Sequence, residues 1–510
     1  MAYTGKRALV LGLGESGLAM ARYLAHQGAF VRVADTRQNP QNREIWLDEM
    51  EKAKTATEFV AGAFTEELLD GMDLVAISPG LIPHTDLSLI LPLAKERNLP
   101  VISEIEIFAK ALAHLEASIG YRPRIIAITG TNGKTTVTNL TGHMCRKAQR
   151  TVKVAGNVSP AVLDVLLTAT KTDSLPQIWV LELSSFQLWS TKTLNADVAV
   201  ILNISQDHLD WHESMEAYIA AKKRIFGPKT IRVLNRNDPF IAHFHPEPDG
   251  PGGAGAPQTV TFGLDRPKGV GDFGLVSDRG LDWFCMLTEL ETGDMPGKKK
   301  AATPKEERLQ MLMPAAALLV KGRHNAANAL AAMALGRAIG LSMAPLLYAL
   351  REYRGEPHRM EPVMTVNGVL YIDDSKATNV GATVAAIESL GHDARSGEGR
   401  LVLIAGGDGK DQEFGPLREV MSGFVKTVFL IGKDAPLLDE VLAKGAVPRV
   451  LCESLEEAVD GAAEIARQGD VVLLSPACAS MDMFENYRHR SGVFVAAVKE
   501  IAAAHGEVVL

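Results

Sequence analysis

Four cysteines in 510 residues, at 145, 285, 452 and 478, form no C-x-x-C pair. That scarcity argues against a disulfide framework or a thiolate zinc site and fits a reduced compartment. Basic charge is also lacking: 53 Lys and Arg face 61 Asp and Glu, for a net charge of −8. Non-specific nucleic-acid binding needs a basic footprint, so it is not expected, and any anionic ligand must be held by local donors. No uninterrupted apolar run is long enough to span a bilayer, and MAYTGKRALVLGLG lacks the apolar core and cleavage site of a signal peptide. The expectation is a cytoplasmic monomer with small-molecule partners, no nucleic acid and no membrane insertion.

What is present is an ordinary globular composition, 46% hydrophobic and 22% charged, on a chain too long for one core. Apolar, β-branched runs at 7–12, 73–78, 124–129, 178–183, 198–203, 401–405, 427–431 and 471–475 alternate with helical patterns. Runs of this kind suit parallel strands buried on both faces, hence an α/β fold. Ligands in such sheets bind at the carboxyl ends of the strands, where Gly, Ser, Thr and Asn cluster here. Boundaries near Leu112 and Gly355 divide the chain into 1–112, 113–355 and 356–510. Within the middle unit, about 246–310 is rich in Gly, Pro and Lys and reads as solvated loops around a few short strands. The run Lys298–Lys300 within it is a solvated face or a partner contact.

Gly12, Gly14 and Gly17 complete G-x-G-x-x-G after RALVLG, and a helix is expected from Gly17 to Gln27. Asp35 closes the next strand at the spacing of a ribose-binding acid. A helix N-terminus offers free N–H groups to a pyrophosphate, whether of a dinucleotide or of a UDP-sugar. ISPGL, with Ser78 and Gly80, is a second small-residue turn suited to the same cleft. Glu15 would repel a phosphate if it pointed inward.

IIAITGTNGKTTVTNL is a shortened phosphate loop: Gly133, Lys134 and Thr135 fit G-x-x-x-x-G-K-[ST], but Ile128 stands where the first glycine belongs and Gly130 comes two residues late. Lys134 is placed for β/γ-phosphate oxygens, and Thr135 or Thr136 for Mg2+. Downstream, Glu182 is a charge inside an apolar strand and needs a cation, metal or lysine. Asp207, His208 and Asp210 follow another strand end. In SMEAYIAAKKRIF, Met215, Ile219, Lys222 and Phe226 fall on one helical stripe bordered by Tyr218 and Ile225. Lys222 therefore faces inward, either as a neutral amine of lowered pKa or as a snorkelling, salt-bridged lysine.

Together these residues resemble the Mur ligase family, ATP-dependent enzymes that build the peptide of bacterial cell-wall precursors. TGTNGKTT resembles that family and the folylpolyglutamate synthetases more than ordinary P-loop proteins. DDSKATN, AGGDGKDQEF and LSPACASMDMFENYRHR are similar to the members that add D-glutamate to UDP-N-acetylmuramoyl-L-alanine. The resemblance implies three domains: an N-terminal Rossmann-like unit for the uridine nucleotide, a central P-loop ATPase with a mostly parallel sheet, and a C-terminal Rossmann-like unit for the amino acid. It implies ATP and two Mg2+ ions as cofactors, an acyl-phosphate intermediate, and roles for individual residues. Gly14, Ser16, Asp35, Thr36, Arg37, Ser78, Gly80 and Asn157 match substrate contacts. Gly130, Thr131, Asn132, Gly133, Lys134, Thr135, Thr136, Asn325, Arg359 and Asp374 match ATP contacts. Glu182, His208 and Thr135 match Mg2+ ligands, and Lys222 matches a lysine carried as a carbamate that joins them; Lys134, Glu182, His208 and Lys222 form the implied catalytic set. Lys376, Thr378, Lys410, Ser480 and Tyr487 match the D-glutamate pocket, with Tyr487 standing where the family commonly has Phe. A folate polyglutamate ligase, an NAD-dependent oxidoreductase and a non-catalytic nucleotide-binding scaffold are the competing readings. The first and second are disfavoured by DDSKATN and by the phosphate loop respectively, and the third by the presence of the whole catalytic set.

Overall fold

The β-branched runs become strands of three separate sheets in a computed structural model that describes residues 3–245, 258–289, 307–320, 322–396, 399–410 and 412–506. The first sheet has the spatial order Thr57–Ala61, Phe30–Asp35, Arg7–Leu11, Leu74–Ile77, Val101–Ile102, with every pairing parallel. In Arg7–Leu11 both faces are covered, and Ala8 to Leu11 are fully buried. That is why the run is continuous rather than alternating. The chain leaves this central strand in both directions, so the turn after it lies at the point where strand order reverses, the usual ligand crevice of such sheets.

The second sheet orders nine strands. Val152–Gly156, Ile178–Glu182, Arg124–Thr129, Val198–Ile201, Ile231–Asn235, Thr259–Phe262 and Phe273–Asp278 are parallel, and Leu281–Glu289 and Glu307–Pro314 extend them antiparallel. The short strands expected around the Gly/Pro/Lys-rich region are thus the far edge of this sheet. Residues 246–257 and 290–306, with Lys298–Lys300, lie outside the described residues. The third sheet orders Glu361–Val366, Val369–Asp373, Val471–Leu474, Leu401–Gly406, Val425–Ile431 and Arg449–Leu451, parallel except for the first pair.

Helices cover these sheets on both faces. Glu104–Ile119 starts on Ser103, whose hydroxyl accepts the N–H of Glu106, and stops at Gly120 in the left-handed region. It runs straight through residue 112. The alanine-rich helix Arg323–Ala338 packs against Lys134–Lys147, the helix that follows the phosphate loop. Among the described residues, no helix is long and apolar enough to cross a membrane.

Candidate nucleotide and ligation site

The glycine turn is dictated by contact distances. Gly12 sits at φ +81°, and a Cβ on Gly17 would come within 1.9 Å of the Gly12 carbonyl oxygen. The helix begins at Glu15 and runs to His26, two residues earlier than expected, which puts Ser16 in its first turn. Gly14, Ser16, Asp35, Thr36, Arg37, Ser78 and Gly80 line one pocket of about 430 Å³, so the two small-residue turns do share a cleft. Glu15 also lines it, but its carboxylate accepts the Ser159 hydroxyl at 2.6 Å and is drawn toward the central unit. Asp35 is already committed. Its carboxylate accepts the N–H of Leu13 at 2.7 Å and the guanidinium of Arg37 at 2.8 Å. Burial alone would raise its pKa; the Arg37 side chain and the N–H groups of Leu13 and Arg37 hold it below the usual range. Asn157 lies elsewhere: its amide donates to Glu182 Oε1 at 2.8 Å.

In the phosphate loop, Gly133 takes φ +79°, and a Cβ there would meet Asn328 Oδ1 at 2.6 Å. Lys134 opens the helix Lys134–Lys147 and curls back, donating to the carbonyls of Gly130 (2.9 Å) and Thr131 (2.8 Å). Desolvation lowers its pKa, with Glu182 and Asp207 opposing. Arg359, from the segment entering the third sheet, donates to Thr135 Oγ1 at 3.2 Å. Asn132, Gly133, Thr136, Asn325, Arg359 and Asp374 then line one cavity of about 310 Å³ between the second and third units. Gly130, Thr131, Lys134 and Thr135 are not among its lining residues; Thr131 is buried against Ser205 and the Tyr218 hydroxyl. Asn203, His324 and Asn328 also line this cavity and were not singled out from the sequence. Asn203 braces the loop, pairing with the backbone of Asn132 in both directions. Asn328 was within reach: it lies one helical turn beyond Asn325, on the same face.

Beside the loop, Glu182 is buried at the end of its strand, and its Oε2 has no hydrogen-bond partner. An orphaned carboxylate oxygen in the interior is costly unless a cation meets it. His208 sits at φ +56° with Nε2 at 3.5 Å from Asp207; burial lowers its pKa and so keeps a ring nitrogen free to donate electrons. Lys222 is buried and donates to the Gly130 carbonyl at 2.9 Å. Burial drives its pKa well down, Lys134 adds to this, and Asp207 opposes it. The inward lysine is found, but the stripe is rotated: Tyr218, Ala221, Lys222 and Ile225 are buried, Met215, Ile219 and Phe226 only half-buried, and the helix ends at Lys223. A carboxylate with one orphaned oxygen and an imidazole of lowered pKa are donors suited to a divalent cation, and the buried Lys222 lies beside them. The carboxylates and ring of His358, Glu361 and Asp373 also gather, but the Asp373 oxygens already accept from Ser375, Ser491 and His358.

Around the third sheet, Lys376 Nζ stands 3.9 Å over the Tyr487 ring. Burial, reinforced by Arg359, brings this lysine down to about 8. Asp374, buried and bonded to Ser475 at 2.8 Å, is pushed up to about 7 by desolvation. Ser480 is buried, and Tyr487 begins the helix Tyr487–Ala504. Lys410 takes φ +49°, and its N–H donates to Asp408. Thr378 lies two residues beyond Lys376 and donates its N–H to that residue's carbonyl.

Known proteins align with this three-part order. Family models match in sequence: the Mur ligase MurD-like N-terminal domain over residues 6–103, the Mur ligase middle domain over 128–336, and the Mur ligase glutamate ligase domain over 358–478. The UDP-N-acetylmuramoylalanine--D-glutamate ligase of Burkholderia pseudomallei (strain 668) is 53% identical over 506 residues, 98% of this chain and 97% of that protein. The ligase of the same name from Burkholderia thailandensis is equally similar over the same shares. Among solved structures, MurF ligase from Thermotoga maritima in complex with ADP superposes with TM-score 0.56 at 15% identity, covering 98% of this chain and 96% of that one. UDP-N-acetylmuramate-alanine ligase MurC from Thermotoga maritima gives 0.55 at 19% identity, covering 97% and 99%. The two structures speak to the fold, and the sequence identity carried along nearly the full length settles the lineage: the chain belongs to the Mur ligase family.

Proposed function

We propose that this chain is an ATP-dependent ligase that joins D-glutamate to the carboxyl of UDP-N-acetylmuramoyl-L-alanine through an acyl phosphate, in the cytoplasm and as a monomer. Use of ATP and Mg2+ in general goes with family membership. The reading assigns the uridine nucleotide to residues 1–112, ATP to 113–355 and the amino acid to 356–510. Its main support is the cavity at which the phosphate loop meets Asn325, Arg359 and Asp374, because it brings a phosphate-binding backbone and a cation from another unit to one ligand-sized space. The D-glutamate assignment follows the names of the relatives at 53% identity.

The substrate carboxylate attacks the γ-phosphorus of ATP, and the bond to the bridging oxygen breaks to release ADP. The amine of D-glutamate then attacks the acyl carbon, loses a proton and expels phosphate, leaving the amide. Reactants at the first step are all anions, so catalysis is chiefly positioning and charge stabilisation. Lys134 releases the Gly130 and Thr131 carbonyls to hold β/γ oxygens, and Arg359 brings a second fixed cation against Thr135. Glu182, His208, Thr135 and Lys222 would hold Mg2+, which when bound supplies charge neutralisation between the carboxylate and the phosphoryl oxygens. Two ions and a carbamate on Lys222 belong to this reading: a neutral amine is the form that adds CO2, and burial lowers the pKa of Lys222 in the direction of that form. Asn157, paired with Glu182, reaches the acyl end of the sugar peptide. Lys376, Thr378, Lys410, Ser480 and the Tyr487 region converge cations and hydroxyls on a small dicarboxylate.

The test is phosphate release with ATP, Mg2+ and UDP-N-acetylmuramoyl-L-alanine, comparing D-glutamate with L-glutamate, meso-diaminopimelate and L-alanine. Release that depends on D-glutamate and matches new amide one for one is expected. Equal release with any of the other three amines would sink the specificity.

A further inference from the structure

Asn379 closes DDSKATN at the start of the helix Val380–Ser396 and is only 4% exposed. Its Oδ1 accepts the N–H of Ala382 at 2.9 Å, which caps its own helix. The same oxygen accepts Asn132 Nδ2 at 3.3 Å, and Asn379 Nδ2 donates back to Asn132 Oδ1 at 3.1 Å. Asn379 Nδ2 also donates to Asp207 Oδ2 at 3.3 Å. A primary amide has two N–H donors and two acceptor lone pairs, so this one is fully engaged. The cap needs the Ala382 bond alone. The other bonds cross to the central unit, to the phosphate loop and to the segment that carries His208, and take no part in holding the helix.

Both ends of this bridge are fixed. Asn132 is braced by Asn203, which accepts its backbone N–H at 2.8 Å and donates to its carbonyl at 3.0 Å. On the other side, the N–H of Val380 donates to Gln412 Oε1 at 3.0 Å, and Gln412 Nε2 donates at 2.9 Å to the carbonyl of Gly409, the neighbour of Lys410. Thr378 directly precedes Asn379, and Lys376 stands one helical turn's length of chain before it. The approach is close: a Cβ on Gly381 would come 2.9 Å from Ser205 Oγ and 3.4 Å from Asn132 Nδ2. We propose that Asn379 is a positioning residue for the amine-attack step, holding Lys376, Thr378 and Lys410 in register with the phosphate loop so that the amino acid meets the acyl group activated there. Arg359 ties the same two units through Thr135 on the ATP side, and Asn379 is the tie on the amino-acid side. The inference rests on the reading of Lys376, Thr378 and Lys410 as part of the amino-acid pocket.

Steady-state kinetics of the full chain with ATP, Mg2+, UDP-N-acetylmuramoyl-L-alanine and D-glutamate tests this. Asn379→Ser keeps a preferred capping oxygen but is too short to reach Asn132 or Asp207. Its kcat/KM for D-glutamate should fall roughly ten- to hundredfold, while its Tm and its Kd for the nucleotide-sugar stay near wild-type values. Asn379→Asp also keeps the cap, but sets a carboxylate oxygen against Asp207. It should lose more than Asn379→Ser does, and the factor lost should be several-fold smaller when Asn379→Asp is made in an Asp207→Asn background, because contacting residues couple in a double-mutant cycle. Three results overturn the proposal: wild-type kcat/KM for D-glutamate in Asn379→Ser, a loss of nucleotide-sugar affinity as large as the loss in kcat/KM, or the same factor for Asn379→Asp in both backgrounds. Wild-type enzyme that turns over equally with and without D-glutamate overturns the amino-acid reading itself, and the proposal with it.

Discussion

Arg359 Nη2 donates to the hydroxyl of Thr135 at 3.2 Å, joining the segment that leads into the third sheet to the first turn of the phosphate-loop helix. The bond fixes a guanidinium at the wall of the cavity that Asn132 and Gly133 share with Asn325. A cation held there before ATP arrives needs no rearrangement when negative charge develops on the transferring phosphoryl group. Arg359→Ala should therefore lower kcat/KM for ATP by roughly 10²–10³-fold, the usual cost of removing one electrostatic stabiliser. Steady-state kinetics checks this, and a loss confined to the KM of D-glutamate would place Arg359 in the wrong pocket.

Lys222 supports a second prediction. Its Nζ lies 4.6 Å from the Tyr218 ring centroid and donates to the Gly130 carbonyl, inside the protein, where desolvation drives its pKa well down. Lys222→Ala removes the amine that would carry the carbamate and should be inactive. A short carboxylate such as acetate fits the space left and restores an oxygen donor, so partial recovery is expected at high acetate. Activity that stays absent at every carboxylate concentration, in a variant that still binds ATP, would remove the support for a carbamate.

The strands were readable because parallel strands buried on both faces leave an unbroken apolar run, as in Ala8–Leu11. The helix Glu104–Ile119 continues past the boundary expected near Leu112 for a related reason. Its buried positions, Ile105, Phe108, Ala111 and Leu112, stop where packing stops, while the exposed remainder is held by the helix itself and ends on Gly120. The pattern records burial, not backbone hydrogen bonds. Motif residues such as Gly133 and Lys134 stand out because their chemistry is local in sequence. Asn203 and His324 reach the same cavity from separate elements, and a lone Asn or His carries no pattern. Asp35 lines the glycine-turn pocket as its spacing suggests, but its bonds to Leu13 and Arg37 could not be read from the spacing.

Ser480 is buried beside the third sheet, close in sequence to Cys478, whose carbonyl accepts from the buried guanidinium of Arg490 at 3.2 Å. A hydroxyl offered there suits one carboxylate of a small dicarboxylic amino acid. Ser480→Ala should raise the KM for D-glutamate roughly ten- to hundredfold, the loss of about 1.5–3 kcal/mol expected for a hydrogen bond to a charged group, while the KM for ATP changes little. The reverse ordering of the two KM effects would move the amino-acid pocket elsewhere.

His212 carries a pH prediction. It is buried, its Nε2 lies 2.9 Å from the Ser185 hydroxyl, and desolvation lowers it to about 4. In the unfolded chain the same imidazole titrates near its ordinary value of about 6.5. Between these values the unfolded chain binds more protons than the folded one, so stability rises with pH across that window. Read downward, the fold loses on the order of 3 kcal/mol from this one group as pH falls from about 6.5 to 4. Urea unfolding at a series of pH values should show the wild type losing stability over that range more steeply than His212→Asn, by at most about 1.4 kcal/mol per pH unit. Parallel pH profiles for the two proteins would mean that His212 protonates within the fold without penalty, against its burial between Trp211, Tyr218 and Phe186.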